Sequence, residues 1–213
     1  MRHHRSTTLA ALLGAFAVFA VPAGAGEIAA EGQAGYRDLA FANTAQALFG
    51  SSSGGTFGGA LRYTFWRGAF ASFGYRTFSK DGERVFVASS TAPVQKLGFP
   101  LSVKIESLPL TVGYRFRVGH TIVPYVAAGA AFTKYQETST VAGESFDQSV
   151  SKTGFTGAGG VEVGKGPLRF GAEAGYTTVS GAIGTDGVSK VYGEDDIGGF
   201  HVVGKVVLAF GIK

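Results

Sequence analysis

Apolar and polar residues alternate with a period of two along most of the chain beyond residue 25, and no helical periodicity stands out there. In the first such segment, Ile28, Ala30, Gly32, Ala34 and Tyr36 share one face. The opposite face carries Glu27, Glu31, Gln33 and Arg37. A second strand is predicted over about 56–66, where Phe57, Leu61, Tyr63 and Phe65 oppose Thr56, Arg62 and Thr64. Arg67-Gly68 turns the chain into a third, with Ala69, Ala71, Phe73 and Tyr75 opposite Ser72, Gly74 and Arg76. The fourth covers about 102–117 and sets Leu110, Val112, Tyr114 and Phe116 against Arg115 and Arg117. After a turn at 118–121 a fifth strand runs over about 122–135. Both of its faces are apolar, so the pattern does not orient it. The sixth (about 153–163) places Glu162 opposite Val161 and Val163. The seventh (168–177) opposes Arg169 and Glu173 to Leu168, Phe170 and Tyr176, and the eighth (about 198–212) opposes His201 and Lys205 to Val206, Leu208 and Phe210.

The connections alternate in length. Those after strands two, four and six are two to four residues long. The others, about 39–55, 79–101, 136–152 and 179–197, are long and rich in Ser, Thr, Gly, Asp and Glu. Short turns at one end of an up-and-down meander and long polar loops at the other are the pattern of a transmembrane barrel. The predicted fold is therefore all-β: an eight-stranded antiparallel up-and-down transmembrane β-barrel, preceded by a signal peptide. In all four long connections the expectation is polar loop, without regular structure.

The N-terminus adds the export signal. MRHHR, an apolar stretch from Leu9 to Val21 and Ala23-Gly24-Ala25 have the order of a secretory signal peptide, with cleavage expected after Ala25. Residues 1–25 are thus read as the signal and 26–213 as the barrel domain. Taking Arg2 and Arg5 from the 19 Lys and Arg leaves 17 against 15 acidic residues, a net +2. That balance, with no basic run, excludes a nucleic-acid partner. The chain has no cysteine, so an exported barrel must be held by its core and its closed sheet.

Alternation alone does not say which face is inside. An eight-stranded barrel has room only for side chains or one small ligand, and the Tyr and Phe residues of the apolar face overfill it. Turned outward, the rings Tyr36, Phe65, Tyr75, Phe116, Phe170, Tyr176 and Phe210 fall near strand ends, where membrane barrels place interfacial girdles. The lumen then receives the charges Glu31, Arg37, Arg62, Arg76, Arg115, Arg117, Glu162, Arg169, Glu173 and Lys205. Mixed signs in a narrow space predict a salt-bridge network that fills the lumen, not an open pore.

Chemistry-bearing motifs are few. Gly159 to Gly166 approaches a phosphate-binding loop but ends in Gly where Ser or Thr must hold magnesium. His201 has Gly199 and Val203 two residues away instead of a serine, and His120 falls in a short turn. No catalytic, cofactor or metal residue is assigned, and the acidic loop residues lack calcium-loop spacing.

The segments LPLTVGYRF, VPYVAAGAAF, LRFGAEAGY and GKVVLAF resemble the small eight-stranded outer-membrane barrels that include OmpX-like and OmpW-like proteins and the OmpA membrane domain. One departure is the end of the chain, which continues past Phe210 as Gly-Ile-Lys. The resemblance implies a non-enzymatic protein of the Gram-negative outer membrane, monomeric, with a structural or adhesion role carried by surface loops. Its implied partners are outer-membrane lipids including lipopolysaccharide, the barrel-assembly machinery and a surface ligand. Two other readings are open: a narrow channel for small, apolar solutes, and a soluble exported ligand-binding barrel.

Overall fold

The computed structural model describes residues 26–116, 121–141 and 143–212. Eight antiparallel strands close into a barrel in sequence order: β1 Gly26–Leu39, β2 Ser53–Thr64, β3 Ala69–Phe86, β4 Gln95–Arg115, β5 Ile122–Val141, β6 Glu144–Val163, β7 Leu168–Thr178 and β8 Gly199–Ile212. Closure is made by β1 and β8, which pair in unbroken register from Gly26↔Ile212 to Leu39↔Gly199. No sheet edge remains within the ring itself, the arrangement a spanning sheet requires.

The outward face is apolar over the whole ring. Ile28, Phe57, Leu61, Leu110, Val112, Phe155, Val202, Val206 and Leu208 are all exposed, Val112 by 65%. Burying that surface is the work of a lipid phase, because a water-soluble chain does not leave so much contiguous apolar area bare. The predicted girdle residues Tyr36, Phe65, Tyr75, Phe116, Phe170, Tyr176 and Phe210 are all exposed as well. Phe65, Phe116, Phe170 and Phe210 lie toward the short-turn end, and Tyr36, Tyr75 and Tyr176 toward the long-loop end.

Two expectations fail at the long-loop end. First, the segments 79–101 and 136–152 are largely strand: β3 and β4 pair as far as Phe86↔Gln95, and β5 and β6 as far as Val141↔Glu144. The polar, Ser- and Thr-rich sequence is compatible with a ladder that is solvated on its faces, and the hydrogen-bonded hairpin outcompetes the loop. The barrel therefore carries a four-stranded sheet, β3 to β6, that projects beyond β7, β8, β1 and β2. Second, helical structure occurs where none was expected. α1 (Ala42–Phe49) and α2 (Gly187–Tyr192) occupy the other two long connections, and each ends on a left-handed glycine, Gly50 and Gly193.

The fifth strand is oriented by its neighbours. Arg115 on β4 is buried inside and faces Tyr125 in register. Tyr125, Ala131, Thr133 and Tyr135 thus point inward, and Val126 and Phe132 point out.

Candidate functional site

The lumen divides into a charged lower half and an apolar upper half. In the lower half every strand contributes: Glu27, Glu31 and Gln33 from β1, Arg62 from β2, Arg76 from β3, Arg115 from β4, Tyr125 from β5, Glu162 from β6, Arg169 and Glu173 from β7, and His201 and Lys205 from β8. Period-two alternation places each of these on the inward face.

Glu162 is the hub nearest the short-turn end and is 0% exposed. Its carboxylate pairs bidentately with Arg62, and its Oε2 lies 2.8 Å from Arg115 Nη2. Arg115 Nη1 reaches Glu27 Oε1 at 2.6 Å, and Arg169 Nη1 donates to the same oxygen at 3.0 Å. Arg62 Nη1 also lies 2.7 Å from Glu31 Oε1. That oxygen receives no hydrogen bond, so the contact is coulombic while the N–H groups point at Glu162.

A second hub, Glu173, lies toward the long-loop end. Lys205 Nζ donates to its Oε2 at 3.1 Å, Tyr125 donates to the same oxygen at 2.8 Å, and Arg76 Nη2 donates to Oε1 at 3.1 Å. Lys205 also bridges back to Glu31 Oε2 at 2.5 Å, which joins the two hubs into one network. Arg76 Nη1 lies 2.8 Å from His201 Nε2. Because a guanidinium only donates, that nitrogen must accept, which assigns His201 as neutral with its proton on Nδ1.

Inward-facing glycines make this packing possible. A Cβ on Gly160 would meet the Tyr125 hydroxyl at 2.5 Å, and one on Gly175 would meet the His201 ring at 2.7 Å. Phe70 fills the remaining space, its ring edge-on to Tyr125 at 6.2 Å and beneath the Arg62 guanidinium at 5.6 Å.

Above the network the lumen turns apolar, contrary to the expectation of a polar interior throughout. Arg37 is buried and donates from Nη2 to the Ile197 carbonyl at 2.9 Å. Beyond it Leu39, Phe41, Ala45, Phe78, Leu101, Val103, Ile105, Tyr135, Val179, Ala182 and Ile197 form one buried cluster. Here α1 lies across the mouth with Phe41 and Ala45 inward, against strand residues whose inward faces are apolar. Phe41, at the helix N-cap, supplies no side-chain cap. The cap comes instead from the last long connection: Glu194 Oε1 accepts from Asn43 N at 2.9 Å and Nδ2 at 3.0 Å, and Oε2 accepts from Thr44 N at 2.8 Å. Asp196 secures the base of that connection by accepting from Val179 N, Gly198 N and the Thr178 hydroxyl. A cavity of about 270 Å³ remains beside the cluster, between α1, α2 and the projecting sheet, with Leu48, Arg84, Leu101, Tyr135 and Glu137 in its wall.

Of the charges assigned to the lumen from sequence, Glu31, Arg37, Arg62, Arg76, Arg115, Glu162 and Lys205 are buried, and Arg169 and Glu173 are partly so. Arg117 and His120 lie outside the described residues. Glu27, Gln33, Tyr125 and His201 were not assigned, although Glu27 and Gln33 share the parity of Glu31, and His201 that of Lys205. Parity was the signal that identifies them. Among the described residues no group of three or more His, Asp or Glu side chains is placed to hold a metal ion.

The family model described as outer membrane protein beta-barrel domain matches residues 8–203. The outer membrane protein OprG from Pseudomonas aeruginosa shares the fold with a TM-score of 0.55 at 14% identity, covering 89% of this chain and 97% of that one. Ail, the attachment invasion locus protein of Yersinia pestis, gives 0.49 at 18% identity over 87% of this chain and 99% of that one. Neisserial surface protein A gives 0.48 at 14% identity over 88% and 99%. No relative among curated proteins matches. With the ring closed, its outer face apolar and its family model covering most of the sequence, the chain belongs to the outer membrane protein beta-barrel family.

Proposed function

We propose that this outer-membrane barrel is a non-enzymatic frame that works from its long-loop end, in a structural and adhesive role. The observation that carries the reading is the double obstruction of the lumen. One charged network ties all eight strands together across the lower half, and α1 with its apolar cluster covers the upper half. A permeation path would have to break buried ion pairs, at about 3–5 kcal/mol for each partner left uncompensated.

The projecting sheet and the two helices offer the surface ligand a rigid platform. Outside the ring, Lys104 and Lys134 stand on outward faces just above the apolar band, with Glu106 paired to Lys104 at 2.9 Å and opposite Lys134 in register. They are our candidates for contact with lipopolysaccharide phosphates. Residues 1–25 are taken as the cleaved export signal, the barrel-assembly machinery as the insertion partner, and the monomer as the working unit.

Planar-bilayer recording of the refolded mature chain tests the central claim. Silence at voltages that drive known pores is expected. Reproducible ohmic steps, or flux of small apolar solutes into liposomes, would replace it with the channel reading.

A further inference from the structure

The cavity of about 270 Å³ between α1, α2 and the inward face of the projecting sheet has a wall of two kinds. One part is apolar: Leu48 of α1, Leu97 and Leu101 of β4, and Ile183 and Val188 on the connection that carries α2. The other part is polar, with Thr44 of α1, Arg84 at the bulge of β3, Glu137 of β5 and Asp186 before α2. Ligand sites for drug-sized molecules run to about 300–1,000 Å³, so this one suits a smaller molecule.

Two polar atoms of the wall have no partner in the protein. Thr44 is 5% exposed, and its Oγ1 is buried without a hydrogen bond. Arg84 Nε is likewise buried and unbonded. Its guanidinium pairs with no carboxylate among the described residues and lies over the Phe146 ring at 6.0 Å. A buried donor without an acceptor is costly, so both atoms call for an acceptor. Glu137 supplies the complementary group. Tyr135 donates to its Oε2 at 2.9 Å, and among the described residues no hydrogen bond reaches Oε1.

The signs of the wall narrow the ligand further. Arg84 is opposed by Glu137 and the exposed Asp186, so an anion meets more like charge than opposite charge. A cation leaves Thr44 and Arg84 without an acceptor. A zwitterion matches the signs but must shed the hydration of two charges. A neutral amide brings acceptor and donor together, and hydrogen bonds to ionised partners are the strong ones.

We infer that this cavity is a binding site for a small neutral carboxamide with a short aliphatic chain. The amide carbonyl accepts from Thr44 Oγ1 and Arg84, its N–H donates to Glu137 Oε1, and the chain lies along Leu48, Leu101, Ile183 and Val188. The site shares no side chain with the charged network. It therefore goes beyond the structural and adhesive role and does not depend on it.

The test titrates hexanamide into the mature chain in lipid nanodiscs, with the Ile, Leu and Val methyl groups labelled for NMR. Saturable shifts are expected at Leu48, Leu101, Ile183 and Val188. Leu61 and Val112, on the lipid face, should change only in proportion to hexanamide dissolved in the bilayer. Four analogues separate the chemistry: hexanoate, hexylammonium, norleucine and N,N-dimethylhexanamide, an amide without a donor. Each should bind about fivefold more weakly than hexanamide or worse. Thr44→Val and Arg84→Met should each weaken hexanamide about fivefold, with heat-modifiable gel migration showing that both variants fold. Glu137→Leu should erase the difference between hexanamide and its dimethyl analogue. Shifts that do not saturate, a charged analogue that binds as tightly as hexanamide, or unchanged affinity in both Thr44→Val and Arg84→Met would overturn the site. Bilayer recording on the same preparation reads the closed lumen separately. A pore removes that reading alone, whereas a silent barrel without saturable shifts removes the carboxamide site alone.

Discussion

Neutralising Glu162 is the sharpest probe of the lumen. The side chain is fully buried and serves Arg62 bidentately and Arg115 at 2.8 Å, with Arg169 Nη1 a further 3.7 Å contact. In Glu162→Gln the shape survives, but three guanidinium groups are left with only Glu27 and Glu31 between them. Removing one partner of a buried pair costs about 3–5 kcal/mol because the other charge stays desolvated. Glu27 and Glu31 recover part of that for Arg115 and Arg62, so about 3 kcal/mol is the expected loss. With urea slopes of about 1–3 kcal/mol per molar, the unfolding midpoint should fall by roughly 1–3 M. The assay is urea unfolding of the barrel in lipid vesicles, followed by heat-modifiable gel migration and by the fluorescence of the single tryptophan, Trp66. Glu144→Gln, exposed at the tip of β6, is the control and should stay within about 0.5 kcal/mol. A double-mutant cycle with Arg62→Met should show strong coupling, since it removes both charges of the pair. If Glu162→Gln shifts the midpoint no more than the control does, lumen water screens these charges and the closed network is refuted.

Three further outcomes follow from the same geometry. Glu194→Gln should leave the barrel's unfolding midpoint unchanged but weaken the α1 cap by about 1 kcal/mol, read as roughly fivefold faster amide exchange over residues 43–49; unchanged exchange would show that α1 is held without the cap. Gly160→Ala should cost about 1–3 kcal/mol by overpacking against Tyr125, whereas Gly32→Ala, with nothing within 4 Å of the new methyl, should be neutral; equal effects in the two variants would sink the packing argument. A nitroxide at Val126 should be accessible to oxygen in lipid and one at Ala127 shielded from it, and the reverse order would invert the assignment of β5.

Eight strands, their alternate faces and the short-turn and long-loop ends were legible in the sequence because a strand's period is two and its turns are punctuated by glycine. The inward charges followed from parity, which also marks Glu27, Gln33 and His201. Which carboxylate serves which cation was not legible. Glu162 and Arg62 are 100 residues apart and meet only because closure brings β6 across from β2. The fifth strand, apolar on both faces, carried no orientation until Arg115 fixed the parity of Tyr125 through the ladder. The polar runs at 79–101 and 136–152 read as loop because solvated hairpin strands need no apolar alternation. Phe78 shares the inward parity of Arg76, and Leu101, Val103 and Ile105 that of Arg115. That apolar side chains fill these inward positions has a tertiary reason, since α1 and the Glu194 cap create an apolar interior at the mouth that alternation along single strands does not encode. The sequence by itself determined that a barrel forms and, through period-two parity, on which face of most strands the charges stand. Tertiary structure alone decided how its charges pair and what covers its mouth, because each depends on contacts between segments far apart in the chain.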